Sequence, residues 1–217
     1  MRLLIMGQPG AGKGTQAALI KNFFGIEHIS TGDMFREAIS GKTKLGLEAQ
    51  GYIAKGELVP DSLTMKLVEE RLGRGDLNAK GFLLDGFPRN VKQAEFLDGL
   101  LLRLHLELDL VININVNEEI LVSRITGRRV CSNCQSVYHI ETLKPKTENV
   151  CDKCQGKLIQ RKDDEETIIR NRLKVYRENT YPLLKFYEDK KLLKTFDGSK
   201  DVDSVFKDIK DALRGLQ

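Results

Sequence analysis

A glycine-rich stretch near the N-terminus has the composition and spacing of a phosphate-binding loop. Residues 7–15 read GQPGAGKGT; they follow a short apolar run, 3–6, and precede a helical pattern over 16–24. Glycines at 7, 10, 12 and 14 permit backbone dihedrals that other residues avoid, so successive N–H groups can converge on one polyphosphate. The N-terminus of the following helix and the ammonium group of Lys13 add positive charge. The stretch therefore predicts a nucleotide site rather than a chance glycine-rich turn.

The loop departs from the general phosphate-binding pattern at one position. That pattern places Ser or Thr directly after the lysine, where the hydroxyl ligates Mg²⁺. Here Gly14 follows Lys13, and the hydroxyl comes one residue later, at Thr15. The loop alone therefore leaves the magnesium ligand open.

Four cysteines form two C-x-x-C pairs, Cys131 with Cys134 and Cys151 with Cys154. Each pair makes a tight turn that aims two thiolates at one point, and four thiolates complete a tetrahedral shell around Zn²⁺ without an open position. We predict a structural zinc site that stabilises a segment too short to bury much apolar surface. Ligand type alone leaves iron open as the metal. We interpret His139 as a surface residue rather than a substitute ligand.

A zinc ribbon that binds nucleic acid is an alternative use of the same cysteines. Residues 135–150, between the two pairs, contain only Lys144 and Lys146 as cations and Tyr138 as an aromatic residue. Nucleic-acid binding relies on basic stripes and stacking aromatic side chains. The composition of this segment therefore favours the structural site.

Several arginines stand close to the predicted motifs, as the transfer of a phosphoryl group would require. Such transfer needs cations around the migrating group and little covalent participation by the protein. Arg89 follows the apolar run 82–84 and so lies at the carboxyl edge of a parallel sheet, where doubly wound folds bind ligands. Asp85 shares that edge and can hold a magnesium-bound water. The arginines placed at the site are Arg36, Arg89, Arg124, Arg128, Arg161 and Arg172.

The composition is that of a globular protein without a nucleic-acid tail. The 217 residues are 41% hydrophobic and 30% charged, and the net charge is +4. The N-terminal apolar run is too short for a signal peptide or a membrane span. We expect a cytoplasmic protein, in which clustered cysteines bind a metal rather than form disulfides.

Short apolar runs alternate with helical patterns, as in a parallel sheet covered by helices. The runs are 3–6, 82–84, 110–114 and 192–196, with 28–30 as a further candidate. Asp61 is expected to cap a helix that ends at Gly73 or Gly75, and 202–216 to form an amphipathic helix. Two regions break the alternation, a helical stretch over 30–59 and a polar stretch over 127–164. We predict an α/β core of 1–29, 60–126 and 165–217 that carries these two insertions.

Taken together, the motifs resemble those of the adenylate kinase family over essentially the whole chain. They are GQPGAGKGTQ at 7–16, HISTGDMFR at 28–36, GFLLDGFPR at 81–89, TGRR at 126–129, and QRKDDEET at 160–167 followed by Arg172. The resemblance implies a P-loop nucleoside monophosphate kinase fold, a parallel sheet flanked by helices, with two mobile insertions. Residues 30–59 would bind AMP, and 127–164 would form the long zinc-binding lid of bacterial members. The implied reaction is reversible phosphoryl transfer from MgATP to AMP, giving two ADP, in a monomer.

The resemblance also assigns residues to ATP, the donor nucleotide. Lys13 would follow the transferred phosphoryl group, Arg124 would lie against the adenine, and Arg128 would reach the phosphates. Lys200 matches a position whose backbone contacts that adenine. Because the family also has a glycine after the lysine, Mg²⁺ would be held by phosphates and waters, with Asp85 behind the waters. The implied donor set is Gly10, Ala11, Gly12, Lys13, Gly14, Thr15, Arg124, Arg128, Val137, Tyr138 and Lys200.

For the acceptor AMP, the resemblance implies that Gln93 reads the adenine edge. Arg161 and Arg172 would bridge the two sets of phosphates, and Asp163 and Asp164 would hinge or latch the lid. The implied acceptor set is Thr31, Arg36, Glu57, Leu58, Val59, Gly86, Phe87, Pro88, Arg89, Gln93, Arg161 and Arg172. The residues expected to act in catalysis are Lys13, Arg89, Arg124, Arg128, Arg161, Arg172, Asp163 and Asp164.

The implied chemistry needs no general base, because the second pKa of a phosphate monoester is about 6 and the attacking oxygen is already ionised. The obstacles are repulsion between two anions and competition from water, so the insertions would close as lids. Gly32, Gly56 and Gly127 are candidate hinges. Two alternatives stay open: a kinase for UMP or CMP, against which Thr31 and Gln93 favour adenine, and a nucleotide-gated zinc-ribbon module.

Overall fold

The computed structural model of the chain describes residues 1–75, 77 and 80–216. Strands β2, β3, β1, β4 and β8 pair in that order into a parallel sheet, while β6, β5 and β7 form a smaller antiparallel sheet. The predicted parallel sheet is confirmed, and it includes the candidate strand at 28–30. The strands within the described residues are β1 (Arg2–Gly7), β2 (Glu27–Ser30), β3 (Phe82–Asp85), β4 (Leu110–Asn115), β5 (Arg128–Cys131), β6 (Val137–His139), β7 (Leu158–Ile159) and β8 (Leu193–Asp197).

Successive side chains of β1 point to opposite faces of the sheet, as the period of a strand requires. Leu3 and Ile5 belong to one buried cluster, and Leu4 and Met6 belong to another. Helices cover both faces, which explains why the strand sequence is apolar at consecutive positions rather than at alternate ones.

The helices that cover the sheet fall into two groups. Helices α1, α6, α7 and α9 bury side chains in the cluster of Leu3, and α4, α5 and α8 bury side chains in the cluster of Leu4. None of the helices in the described part of the chain is both long and apolar enough to cross a bilayer. The helices are α1 (Lys13–Phe24), α2 (Thr31–Ser40), α3 (Lys44–Lys55), α4 (Asp61–Leu72), α5 (Val91–Arg103), α6 (Glu118–Thr126), α7 (Glu166–Val175), α8 (Pro182–Asp189) and α9 (Val202–Arg214), with a 3₁₀ turn at Lys162–Asp164 and a π-helical turn at Tyr176–Thr180.

The predicted N-cap of α4 is wrong. Asp61 is the first residue of the helix, and Pro60 occupies the cap position without a side-chain hydrogen bond. The Asp61 carboxylate instead accepts hydrogen bonds from Asn90 and Gln93, because the start of α5 lies beside it. The helix ends at Leu72, and its C-cap is Gly73, one of the two glycines predicted to end it.

Helices α2 and α3 form a small unit of their own beside the sheet. A Cβ at Gly46 would lie 2.1 Å from the Ala38 carbonyl oxygen, so the two helices touch at this glycine. Phe35, Ala49 and Val59 form a separate buried cluster there. The stretch predicted to be helical is helical, while its role as a mobile insertion over 30–59 stays a prediction.

The antiparallel sheet begins directly after α6, at Gly127. A Cβ at this position would lie 2.3 Å from the His139 ring, whereas the Gly127 φ of −77° is open to any residue. Glycine is therefore needed here for space and not for its dihedral. It allows the chain to leave the core helix and enter β5 against β6.

Candidate active site

The glycine-rich loop joins the end of β1 to the start of α1. Gly7, Gly10 and Gly12 have φ values of 141°, 84° and 92°, in a region that side chains avoid. A Cβ at Gly7 would lie 2.4 Å from the Ile114 carbonyl oxygen, and one at Gly10 would lie 2.7 Å from the Ile125 side chain. Dihedral and space both require glycine at these two positions.

Gly14 differs from the other loop glycines. It is the second residue of α1, its φ is not positive, and nothing lies within 4 Å of a Cβ placed there. The expectation that Gly14 adopts a dihedral closed to other residues is therefore wrong. What this glycine provides is open space at the helix N-terminus, next to Lys13.

The ammonium group of Lys13 turns back onto the loop. Its Nζ donates to the carbonyl oxygens of Gly7 at 2.8 Å and of Gln8 at 2.9 Å. Burial lowers the pKa of Lys13 to about 8; Asp85 opposes this shift and Arg89 adds to it. An incoming phosphate would favour the charged form of Lys13, because an opposite charge raises the pKa of an ammonium group.

Asp85 ends β3 at the carboxyl edge of the sheet, as the sequence predicts. Its Oδ2 lies 3.4 Å from Nε2 of His28 on the adjacent strand β2. The Thr31 hydroxyl donates to the backbone carbonyl oxygen of Asp85 at 3.3 Å. Burial raises the pKa of Asp85, but hydrogen bonding to His28 and the charge of Lys13 outweigh burial, so the pKa lies below its ordinary value. The ionised carboxylate suits a water bound to a metal ion.

A cleft of about 600 Å³, open to solvent, lies beside this edge of the sheet. Gly86 turns there with a φ of 79°, and a Cβ would lie 2.8 Å from the Thr31 hydroxyl oxygen, so only glycine fits. Phe87 and Pro88 are buried behind the wall rather than facing the cleft. The predicted acceptor residues that line it are Thr31, Arg36, Glu57, Leu58, Val59, Gly86, Arg89, Gln93 and Arg172.

Arg89 is held on the wall of the cleft by its backbone and its side chain. Its carbonyl oxygen accepts from the Thr180 hydroxyl at 2.8 Å, its backbone N–H donates to Gln93 Oε1 at 2.7 Å, and its Nε donates to the Gly86 carbonyl at 2.8 Å. Desolvation by nearby protein, followed by the charge of Arg172, lowers the pKa of Arg89 to about 10, while much of the residue's surface stays exposed.

A chain of ion pairs joins the core to the cysteine-bearing segment. Asp164 is fully buried and accepts from Arg128 Nε at 2.8 Å and from Arg128 Nη2. Nη1 of Arg172 lies 3.4 Å from the same carboxylate and 3.0 Å from Asp163 Oδ2. Burial raises the pKa of Asp163, but Arg172 and other arginines lower it below its ordinary value. The structure thus brings together four residues predicted to act in catalysis.

Arg161 and Arg36 converge on Asp33 in the first turn of α2. Oδ1 of Asp33 lies 2.5 Å from Arg36 Nη2 and 3.8 Å from Arg161 Nη2. Burial, followed by the charges of Arg36 and Arg128, lowers the pKa of Arg161 to about 10. Sequence reasoning did not place Asp33 in the site, although it lies inside the motif HISTGDMFR.

Arg124 lies in the last turn of α6, away from the acceptor cleft. Its Nη1 donates to the Gly198 carbonyl at 2.8 Å, and its Nη2 lies 3.5 Å from the Ser199 carbonyl. The Lys200 ammonium turns to Asp208 on α9, at 2.7 Å. The backbone carbonyls of Gly198 and Ser199 thus face Arg124, while the role of Lys200 toward a nucleotide stays a prediction.

Comparison with known proteins identifies the family that shares these motifs. A sequence model of the family described as adenylate kinase matches residues 5–192. The chain belongs to the adenylate kinase family. It is 55% identical over 215 residues to an adenylate kinase of Bacillus licheniformis, with 99% of each chain covered. It is 55% identical over 214 residues to that of Carboxydothermus hydrogenoformans, covering 99% of this chain and 100% of the relative, and 52% identical over 217 residues to that of Bacillus subtilis, with both fully covered.

In this member of the adenylate kinase family, the cysteine-bearing segment has the donor atoms of a metal centre. The Sγ atoms of Cys131, Cys134, Cys151 and Cys154 all lie within 4.8 Å of one another. A tetrahedral Zn²⁺ with bonds of about 2.3 Å sets neighbouring sulfurs about 3.8 Å apart, so the donor set fits this ion. The backbone N–H of Asn133 points to Cys131 Sγ at 3.4 Å, as in a metal-binding turn.

The Tyr138 hydroxyl lies against the cysteine cluster. It is 3.5 Å from Cys151 Sγ and accepts from the Asp152 backbone N–H at 2.8 Å. Burial raises the pKa of Cys151, but the Tyr138 hydroxyl and backbone N–H groups lower it to about 6, which favours the thiolate that a metal binds. The roles of Val137 and Tyr138 toward a nucleotide stay predictions. His139 lies outside the cluster, is partly exposed, and uses its ring Nδ1 to accept two backbone N–H groups.

Proposed function

We propose that the protein transfers the terminal phosphoryl group of MgATP reversibly to AMP, giving two ADP. The observation that carries the proposal is the arginine-lined cleft beside a phosphate-binding loop, in a chain of the adenylate kinase family. Two anionic nucleotides need two adjoining phosphate sites with cations between them. The loop offers the first and the cleft offers the second.

The donor nucleotide is assigned to the loop and to the turns beside it. Gly10 to Thr15 would hold the ATP phosphates with backbone N–H groups and the Lys13 ammonium. Arg128 would reach the same phosphates from the cysteine-bearing segment, where Val137 and Tyr138 supply backbone. Arg124 and the backbone of Lys200 would lie at the ATP adenine.

The acceptor AMP is assigned to the cleft. Arg36 and Arg89 would bind its phosphate, while Arg161 and Arg172 would neutralise charge between the two nucleotides. Gln93 would meet the adenine edge. The remaining acceptor residues would shape the pocket through backbone or side chain: Thr31, Glu57, Leu58, Val59, Gly86, Phe87 and Pro88.

Catalysis in this arrangement is electrostatic. The AMP phosphate is already ionised near neutral pH and attacks without a general base. Lys13, Arg89, Arg128, Arg161 and Arg172 offset repulsion between the anions. Asp85 would hold Mg²⁺ through water, and the bound ion supplies neutralising charge on the donor phosphates.

The domain assignment follows from this chemistry. The core would be 1–29, 60–126 and 165–217, the AMP-binding insertion 30–59, and the lid 127–164. Closure of the insertions would exclude water, with Asp163 and Asp164 latching the lid. Structural Zn²⁺ on the four cysteines would hold the lid in shape. We also propose a cytoplasmic monomer without a nucleic-acid partner.

A coupled assay of ADP formation tests the proposal, with ATP as donor and AMP, CMP, UMP or GMP as acceptor. AMP should be the preferred acceptor. Arg172→Ala should remove most of the turnover, whereas Arg170→Ala should keep it, because Arg170 is an exposed residue on the same helix and pairs only with nearby Glu166 among the contacts that the structure gives it. Turnover of CMP or UMP in preference to AMP would indicate a different nucleoside monophosphate kinase. Absence of turnover with every acceptor would indicate a regulatory module.

A further inference from the structure

We propose that Asp61 is a positioning residue for acceptor specificity. Together with the backbone N–H of Arg89, it locks the side-chain amide of Gln93 in one orientation, so that the site selects adenine over 6-oxopurines such as hypoxanthine and guanine. The inference rests on the proposed function, because it takes Gln93 as the side chain that meets the base of the acceptor nucleotide.

Both ends of the Gln93 amide have a partner of fixed polarity. Gln93 is 1% exposed; its Oε1 accepts from the Arg89 backbone N–H at 2.7 Å, and its Nε2 donates to Asp61 Oδ1 at 2.8 Å. A backbone N–H can only donate, and a carboxylate can only accept. Exchange of the amide oxygen and nitrogen would set two donors against each other at Arg89 and two acceptors against each other at Asp61. The hydrogen bonds therefore assign the amide orientation without ambiguity.

Asp61 is itself held in place. Nδ2 of Asn90 donates to the same Oδ1 at 2.9 Å, and Oδ1 of Asn90 accepts from the Gln93 backbone N–H at 2.8 Å as the N-cap of α5. Asp61 lies in the first turn of α4, where the helix dipole favours a negative charge. Asp61 and Gln93 thus lie in the first turns of two neighbouring helices, α4 and α5. A helix positions a side chain more rigidly than a loop does.

The fixed amide leaves one donor and one acceptor for the ligand. A primary amide has two N–H groups and an oxygen with two lone pairs, and Asp61 and Arg89 use one of each. Gln93 lines the cleft, and the remaining N–H and lone pair are the groups that it can offer to a base. Adenine presents the N6 donor beside the N1 acceptor, whereas hypoxanthine and guanine present the O6 acceptor beside an N1–H donor. A locked amide complements one of these two polarities, while a free amide can turn over to suit either.

Loss of the Asp61 carboxylate should therefore relax specificity. A hydrogen bond to a charged group changes an equilibrium by roughly tenfold to a hundredfold, so this is the factor by which the flipped amide should gain population. A buried site that matches only one pattern of donors and acceptors rejects the other strongly, because the mismatched groups stay unpaired. Asp61 would strengthen the rejection of 6-oxopurines and would not affect the phosphoryl transfer itself.

The test compares full-length wild type with D61L, D61A and D61N, using ATP with either AMP or IMP as acceptor. Leucine and alanine remove the acceptor, and D61A keeps the test possible if the larger side chain prevents folding. In both variants the AMP-to-IMP ratio of kcat/KM should fall roughly tenfold to a hundredfold, while kcat at saturating AMP and KM for ATP stay within about twofold of wild type. D61N keeps an oxygen that accepts from Gln93 and should restore the wild-type ratio.

Asn90→Ala is the structural control. It removes the cap of α5 and the second partner of Asp61 but keeps the bond between Asp61 and Gln93, so it should lower Tm without changing the AMP-to-IMP ratio. An unchanged ratio in folded D61L and D61A, or an equal change in N90A, would overturn the inference while leaving the proposed function intact. A wild-type protein that phosphorylates neither nucleotide would instead overturn the proposed function, and this inference with it.

Discussion

Replacing Asp164 with alanine removes the carboxylate on which Arg128 and Arg172 converge. Removal of one partner from a buried ion pair costs about 3–5 kcal/mol of unfolding free energy. The side chains of Arg128 and Arg172 keep 19% and 23% of their surface exposed, so water can reach the freed guanidinium groups. We therefore expect the low end of that range, about 3 kcal/mol. Each kcal/mol shifts Tm by about 2–4 °C in a chain of this size, which gives a decrease of about 6–12 °C.

Thermal unfolding followed by circular dichroism near neutral pH measures this decrease. Glu165→Ala is the matched control, because Glu165 is the next residue in the chain and its side chain is exposed; its Tm should change by no more than about 1–2 °C. In a double-mutant cycle, Arg128→Ala combined with Asp164→Ala should cost less than the sum of the two single changes. A D164A protein with the Tm of wild type, or a decrease equal to that of E165A, would show that the carboxylate is solvated and would refute the reasoning.

Three other predictions concern the loop, the cysteines and Lys13. Gly10→Ala should destabilise the protein by about 1–3 kcal/mol because its backbone is left-handed, whereas Gly14→Ala should leave Tm equal or slightly higher, since alanine suits a helix; denaturant unfolding of both variants checks this, and equal losses would contradict it. Metal analysis should find zinc in equimolar amount, and a chelator should lower Tm of wild type but not of a variant with serine at all four cysteines; an equal effect on both proteins would count against the site. The pKa of Lys13 is lowered to about 8, so the free protein loses this positive charge as pH rises through that value, and kcat/KM for ATP should fall above it. The kcat should stay level to higher pH, because bound phosphates raise the pKa of Lys13. The pH profiles of both constants test this, and a kcat/KM that stays level up to about pH 10 would disprove it.

Local sequence patterns predicted those structural features that depend on residues close together in the chain. The strand β1, the loop turns at Gly7, Gly10 and Gly12, and the clustering of the cysteines each depend on neighbouring residues or on a short fixed spacing. The arginines of the cleft were predicted from their position relative to these motifs. Their roles toward nucleotides came from family resemblance and stay predictions.

Sequence reasoning failed where the partner of a residue is remote in the chain. Asp61 follows the rule for a helix cap, but the side chains of Asn90 and Gln93 reach its carboxylate, and no local signal announces them. His28 lies beside Asp85 because β2 and β3 pair in one register, which depends on the whole sheet. Gly14 was assigned a special dihedral by analogy with its neighbours, although the helix had already begun.

The aspartates among the arginines have a consequence for how the cleft meets its ligands. Beside the cleft, six cationic side chains interact with four carboxylates among the described residues: Lys13, Arg36, Arg89, Arg128, Arg161 and Arg172 with Asp33, Asp85, Asp163 and Asp164. The carboxylates of Asp33, Asp163 and Asp164 pair with four of the guanidinium groups when phosphate is absent, those of Arg36, Arg128, Arg161 and Arg172. Phosphate binding then replaces one anion with another at these arginines. Because the carboxylates already hold the guanidinium groups together, the arginines need not be brought together or desolvated again in each turnover.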